Sequence, residues 1–182
     1  MLSATTGIGG GVLLLALMAS LLPPAALLPV HGAVQFGSNL GRAAVLRAEI
    51  ATGAVLPFAA GAIAGIAAGG ALAGRLPPGA VQIAVGLFVM LSTVARLAVS
   101  PRSGAPAGAV STALTMIVGA TGPFVLAWVR GLGLDRQATV ATHALLMTGQ
   151  HGLKIAAFAL PGFAFAPRAA PVAAMTPSGS AG

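Results

Sequence analysis

The chain has 182 residues, of which 57% are hydrophobic and only 6% are charged, and its formal net charge is +7. Soluble domains carry about a quarter charged residues, so this composition excludes an ordinary soluble domain and predicts an integral membrane protein. The basic residues are dispersed singly between apolar runs, which is typical of charges flanking membrane helices and not of a nucleic-acid-binding surface. Because the chain has no cysteine, disulfides, thiol catalysis and cysteine-based metal sites are also excluded.

Six apolar runs follow one another, and each predicts a membrane helix. They cover residues 5–22, 25–46, 51–73, 80–99, 107–129 and 137–160. The first run holds about 15 apolar residues after a glycine-rich start, and a straight span needs about 20. We therefore expect a re-entrant or broken helix there, or an incomplete N-terminus. In the fifth run, the glycines and proline of residues 119–123 predict a second break.

The spacing of small residues and breakers predicts how the chain is divided. Gly61, Gly65 and Gly69 form a ridge that lets two helices approach closely. Breaker residues predict a linker between two halves, and proline, alanine, glycine and serine predict a disordered tail. The predicted units are a first half over 1–99, a linker over 100–106, an incomplete second half over 107–166 and a tail over 167–182.

Two stretches place polar groups inside the apolar runs. His31, Gln35 and Asn39 are spaced four residues apart, so they share one helix face, with Arg42 about a turn further on. The second stretch contains His143, Gln150, His151 and Lys154. Ionisable side chains inside membrane spans are costly and indicate a functional site by default.

A constant offset of 112 residues relates the two stretches. It pairs His31 with His143 and Arg42 with Lys154, and it also pairs the glycines that precede each stretch. The offset predicts an internal repeat, which is typical of secondary transporters whose broken helices direct their N-termini at an anion. The partners of residues 50–100 would extend past residue 182, and those of residues 107–112 would precede residue 1. We therefore expect a chain that is shortened at both ends.

These motifs carry a resemblance to a known family. They are TGIGGG at 6–11, HGAVQFGSNLGR at 31–42, GATGP at 119–123, GLDRQ at 133–137, ATH at 141–143 and QHGLK at 150–154. At these residues the sequence resembles the sulfite exporter TauE/SafE family of membrane permeases. The resemblance implies two homologous halves of membrane helices and the transport of sulfite, sulfonates or related sulfur-containing organic anions.

The polar stretches and the glycine-rich breaks together predict a site for a small oxyanion. The predicted side-chain contacts are His31, Gln35, Asn39, Arg42, His143, Gln150, His151 and Lys154, and the predicted backbone contacts are Gly9, Gly10, Gly11, Thr121 and Gly122. Structural roles stay open for the same residues: a histidine bonded to a backbone carbonyl, an amide joining two helices, or a basic side chain extended towards a helix end. No metal site or cofactor is expected, because the histidines lie on separate halves without a carboxylate nearby.

The predicted fold class is an all-α integral membrane protein, a polytopic helical bundle of two pseudo-equivalent halves with Gly-broken or re-entrant helices. The predicted function is a small-anion permease of the bacterial inner membrane that works by alternating access, and not an enzyme. The alternative is a non-transporting membrane scaffold or an inactive truncated remnant of such a permease. The expected partners are the lipid bilayer and a small oxyanion, with proton or ion coupling and homo-oligomerisation as further options and no nucleic acid.

Overall fold

The computed structural model describes residues 10–73, 75–77, 79–80, 83–84, 87, 104–168 and 172–173. Its α-helices are α1 (Gly10–Leu21), α2 (Pro24–Val45), α3 (Val55–Ala73), α4 (Gly104–Val118), α5 (Gly122–Gly131) and α6 (Arg136–Ala159). Short 3-10 turns cover Arg47–Glu49, Thr52–Ala54 and Ala166–Arg168. Within these ranges there is no β-strand, so the all-α prediction is confirmed for this part of the chain.

The two long polar-bearing helices have well-defined starts. Pro24 occupies the first turn of α2, where a backbone N–H would have no intrahelical partner, so its absence loses no hydrogen bond. The helix continues through Pro29. Asp135 caps α6, because its Oδ1 accepts a hydrogen bond of 2.9 Å from the backbone N–H of Ala138. α6 then packs against α2, α3 and α5, so it is the helix around which the other elements are arranged.

Two boundaries differ from the prediction, and one run lies mostly outside the described residues. α4 begins at Gly104, so the last three residues of the predicted linker form its first turn. Pro106 is compatible with that position because the first N–H groups of a helix have no intrahelical partner. At the other end, residues 167 and 168 belong to a 3-10 turn, so regular structure continues past the predicted start of the tail. The fourth run, 80–99, falls almost wholly outside the described ranges.

The glycine ridge of α3 lies directly against the backbone of α4. A Cβ placed at Gly65 would collide with the carbonyl oxygen of Ala109, and one at Gly69 would lie 2.6 Å from the Cα of Ala113. Gly61 is just as close to the carbonyl of Ala105. The predicted close approach at this ridge is therefore confirmed, and it depends on the absence of side chains at these positions.

The bundle is apolar on its outside and contains polar groups inside. Leu56 is 77% exposed and Ile63 61%, whereas His31, Gln150 and Lys154 are each at most 1% exposed. Exposed apolar groups are the expected covering of a protein whose surrounding solvent is lipid. By length and composition, one helix of the described ranges, Thr52–Ala73, could cross a membrane by itself.

The ridge gives a test of the packing. We expect Gly65→Leu to destabilise the protein by about 3 kcal/mol or more, because the larger side chain must displace the α4 backbone. The matched control is Ala67→Leu on the exposed face of α3, which should leave stability nearly unchanged. Fluorescence of Trp128, the one tryptophan of the sequence and buried against Phe58, reports unfolding in detergent. Equal unfolding midpoints for the two variants would contradict the described packing.

Candidate functional site

The break between α4 and α5, residues 119–121, is built around a glycine. α4 ends at Val118, and Gly119 adopts a φ of +86°, which strains any residue with a Cβ. A Cβ at this position would also lie 2.8 Å from Cδ2 of Leu28. α5 then starts at Gly122, with Pro123 in its first turn. The break predicted at residues 119–123 is therefore confirmed.

Buried side chains bind the groups that this break exposes. Thr115 donates from Oγ1 to the carbonyl oxygen of Gly119 at 3.0 Å, and Lys154 donates from Nζ to the same oxygen at 3.5 Å. Gln150 donates from Nε2 to Oγ1 of Thr121 at 2.9 Å. In an apolar surrounding an unpaired backbone group costs several kcal/mol, so the two bonds to the Gly119 carbonyl oxygen favour an interruption of the helix here. The bond from Gln150 holds the same segment through the side chain of Thr121.

Two histidines are hydrogen-bonded to the first turns of the short helices. His31 of α2 donates from Nε2 to the carbonyl oxygen of Gly11 at 3.0 Å, and His143 of α6 donates from Nε2 to that of Gly122 at 3.1 Å. Because a carbonyl can only accept, both bonds assign a proton to Nε2. Each histidine thus joins a long helix to the first turn of the short helix that precedes it.

A cavity of about 230 Å³ lies where these elements meet. An engineered cavity of about 150 Å³ is large enough to hold benzene, so this one has room for a small oxyanion. Its lining includes six of the predicted side chains: His31, Gln35, Asn39, Arg42, His143 and His151. Gly10, Gly11 and Gly122 contribute to the same wall, as predicted for the backbone contacts.

The polar side chains of α2 form a connected row along the cavity. Arg42 donates from Nη1 to Oδ1 of Asn39 at 3.2 Å. Asn39 donates from Nδ2 to the backbone oxygen of Gln35 at 2.8 Å and to its Oε1 at 3.2 Å. The spacing that predicted one shared helix face is thereby confirmed. The bond to Asn39 uses one of the five guanidinium N–H groups of Arg42, which leaves others for an anion.

No carboxylate offsets the charge of Arg42 at the cavity. The sequence contains two acidic residues, Glu49 and Asp135. Glu49 is exposed in the turn after α2, and Asp135 is exposed at the start of α6, where it caps the helix. Neither of them lines the cavity, so its wall is electropositive and favours an anion.

Three predicted contacts lie elsewhere, and one lies outside the described residues. Gln150, Thr121 and Lys154 are buried behind the cavity wall and support the break instead of lining the space. Gly9 precedes the first described residue. The prediction that the remaining residues bind a substrate stays a prediction, although the cavity brings them together.

The sequence interpretation missed several residues of the cavity wall. These are Val12, Leu14, Val34, Ser38, Ala120, Pro123 and Met147. Two of them could have been predicted from helical spacing. Ser38 follows Gln35 by three residues and Met147 follows His143 by four, so each shares a helix face with a predicted residue. The others are apolar, and the sequence offers no feature that separates them from the rest of the hydrocarbon.

An all-α bundle with an apolar exterior and an electropositive cavity at a helix break has the architecture of a membrane transport protein. The chain belongs to the Sulfite exporter TauE/SafE family, whose family model matches residues 1–182. The resemblance inferred from the motifs is therefore confirmed. This family comprises membrane transporters and not enzymes. No curated protein and no solved structure matches the chain.

The geometry of the break gives a matched pair of glycine variants. We expect Gly119→Ala to destabilise the protein by about 2 kcal/mol or more, because a φ of +86° disfavours a Cβ and Leu28 occupies its place. Gly149→Ala, in the interior of α6 with open space around it, should be neutral or stabilising by about 0.5–1 kcal/mol. Reversible unfolding in mixed detergent measures both. A Gly119→Ala protein as stable as Gly149→Ala would show that the break is not built as described.

Proposed function

We propose that this protein is a multi-pass permease of the bacterial inner membrane that carries sulfite, a sulfonate or a related small sulfur-containing anion. Membership of the TauE/SafE family supports the substrate class. The observation that carries the proposal is the cavity wall, in which Arg42 has no carboxylate partner and two helix N-termini lie nearby. A wall of this charge discriminates against cations, whose carriers usually rely on intramembrane carboxylates.

The starts of α1 and α5 supply the second part of the anion site. Gly10 and Gly122 are the first residues of these helices, and both line the cavity. The first N–H groups of a helix have no intrahelical partner and carry a partial positive charge. Sulfite and sulfonate oxygens are suitable acceptors for such groups, and the guanidinium of Arg42 would complete the contact.

The helix positions support two homologous halves. α1 and α5 start at residues 10 and 122, and α2 and α6 start at residues 24 and 136, so both differences equal the predicted offset of 112. In each half a histidine of the long helix is bonded to the first turn of the short one. In our proposal these two units rock against one another around the cavity, which gives alternating access.

The lengths of α2 and α6 support more than one membrane crossing. They contain 22 and 24 residues, or about 33 and 36 Å, and the hydrocarbon core of a bilayer is about 30 Å thick. Their mean hydropathy is lowered by polar residues that face the cavity or the break. α1 and α5, with 12 and 10 residues, would cross only part of the bilayer.

Uptake by proteoliposomes tests the role of Arg42. We expect Arg42→Gln to lower the rate of radiolabelled sulfite or sulfonate uptake by about 10- to 100-fold, because a charge-assisted hydrogen bond contributes about 1.5–3 kcal/mol. Arg42→Lys should retain an intermediate rate, since it keeps the charge but loses the forked geometry.

The control for this test is Arg136→Gln, which removes an exposed charge at the start of α6 and should leave uptake unchanged. Equal losses in Arg42→Gln and Arg136→Gln would contradict the site and indicate an effect of surface charge. A folded wild-type protein that neither binds nor transports these anions would favour the scaffold or remnant alternative.

A further inference from the structure

The geometry points to Lys154 as a proton-binding site that takes up its proton when an anion enters the cavity. The inference rests on the proposed function and adds the identity of the coupled ion and the place where it binds. In this account the empty protein holds Lys154 as a neutral amine. The anion-loaded protein holds it as an ammonium, and the added proton comes from water.

The surroundings of Lys154 offer little compensation for a permanent charge. The residue is 0% exposed, and its side chain packs along Gly32, where a Cβ would lie 3.4 Å from Cδ of Lys154. Its described acceptor is the carbonyl oxygen of Gly119, at the long distance of 3.5 Å. Asp135 lies 19 residues earlier, about 28 Å along α6, and Glu49 is exposed beyond α2. A buried ammonium without a carboxylate partner is costly.

The position of Lys154 at the break explains why a cation is nevertheless suited to this place. Gly119 follows the last residue of α4, and the C-terminal end of a helix carries partial negative charge. On the other side of the break, α5 starts at Gly122, which lines the cavity. Transporters with discontinuous helices hold a coupling cation at such a C-terminal end and the substrate anion at the N-terminal end. Here the ammonium of Lys154 would occupy the position of that coupling cation. A proton bound to Lys154 can therefore take the role that a metal cation has in such transporters.

Two buried imidazoles extend this site towards the cavity. Nδ1 of His31 and Nδ1 of His151 are buried without a hydrogen-bond partner, and their ring centroids are 6.0 Å apart in an edge-to-face arrangement. Since Nε2 of His31 already donates to Gly11, its Nδ1 can only accept. Both rings line the cavity, and His151 lies three residues before Lys154 on α6, a spacing that makes their side chains neighbours on that helix. Each Nδ1 is therefore an unused hydrogen-bond position beside the cavity.

The remaining charged groups around the cluster do not supply the missing negative charge. His143 and Arg42 face the same cavity, and Arg130 lies at the end of α5. α1, α3 and α4 contain no ionisable side chain. An anion in the cavity would be the nearest countercharge, so its binding favours proton uptake. By linkage, the bound proton strengthens anion binding by the same factor.

The sequence makes this inference directly measurable, because Lys154 is its one lysine. Protein grown with lysine labelled with ¹³C at Cε gives a single side-chain resonance whose chemical shift distinguishes amine from ammonium. We expect the amine position for the full chain in nanodiscs at about pH 8 and the ammonium position after saturation with methanesulfonate. Methanesulfonate is the suitable probe because its own charge does not titrate in this range, unlike that of sulfite.

Calorimetry on the same samples separates the possible failures. Titration of methanesulfonate in two buffers of different ionisation heat should give a saturable isotherm with uptake of about one proton per anion. Saturable binding with no proton uptake and an unchanged lysine resonance would overturn this inference and leave the proposed function intact. Absence of binding would contradict the proposed function and this inference together.

A variant provides an independent readout. Lys154→Met replaces the amine by an apolar side chain of similar length, and we expect it to bind methanesulfonate more weakly and without proton uptake. Arg136→Gln is the control and should bind with the uptake of the wild type. Proton uptake that persists in Lys154→Met would assign the proton to another group and overturn the inference. If Lys154→Met fails to fold, the resonance of the wild-type lysine still decides the question.

Discussion

The interruption between α4 and α5 is the constraint on which the rest of this structure depends. A helix that stops inside an apolar bundle frees N–H and C=O groups that must find partners within the protein. Here Thr115 and Lys154 donate to the carbonyl oxygen of Gly119, Gln150 holds the segment through the hydroxyl of Thr121, and His143 donates to the carbonyl oxygen of Gly122 in the first turn of α5. The cavity lies beside this break, and its wall includes Gly122 and Pro123, the first two residues of α5.

The two polar stretches correspond in position but differ in what they contact. Arg42 and Ser38 of α2 line the cavity, whereas their counterparts at the 112-residue offset, Lys154 and Gln150 of α6, bind the break. The first stretch therefore places a cation on the cavity wall, whereas Gln150 and Lys154 of the second stretch contact the break behind that wall. In the proposed mechanism this difference separates the anion contact, at Arg42, from the proton site, at Lys154.

Features that depend on local chemistry could be predicted from the sequence. Glycine and proline at 119–123 predicted the break, four-residue spacing predicted the shared face of Gln35 and Asn39, and the glycine ridge predicted the α3–α4 contact. The roles of Gln150 and Lys154 could not be predicted, because they depend on which way α6 is turned in the bundle. The start of α4 could not be predicted for a different reason. Pro106 is as compatible with the first turn of a helix as with a linker.

The most direct test of the cavity as an anion pathway is whether a reagent in water can reach it. Because the chain has no cysteine, a single introduced cysteine is the only thiol that such a reagent can label. Ser38→Cys places a thiol on the cavity wall, and Ile63→Cys places one on the exposed apolar face of α3. A negatively charged methanethiosulfonate reagent should label Ser38→Cys and not Ile63→Cys in proteoliposomes, and methanesulfonate should slow the labelling of Ser38→Cys. A Ser38→Cys protein that is not labelled, or is labelled at a rate that methanesulfonate does not change, would contradict the account.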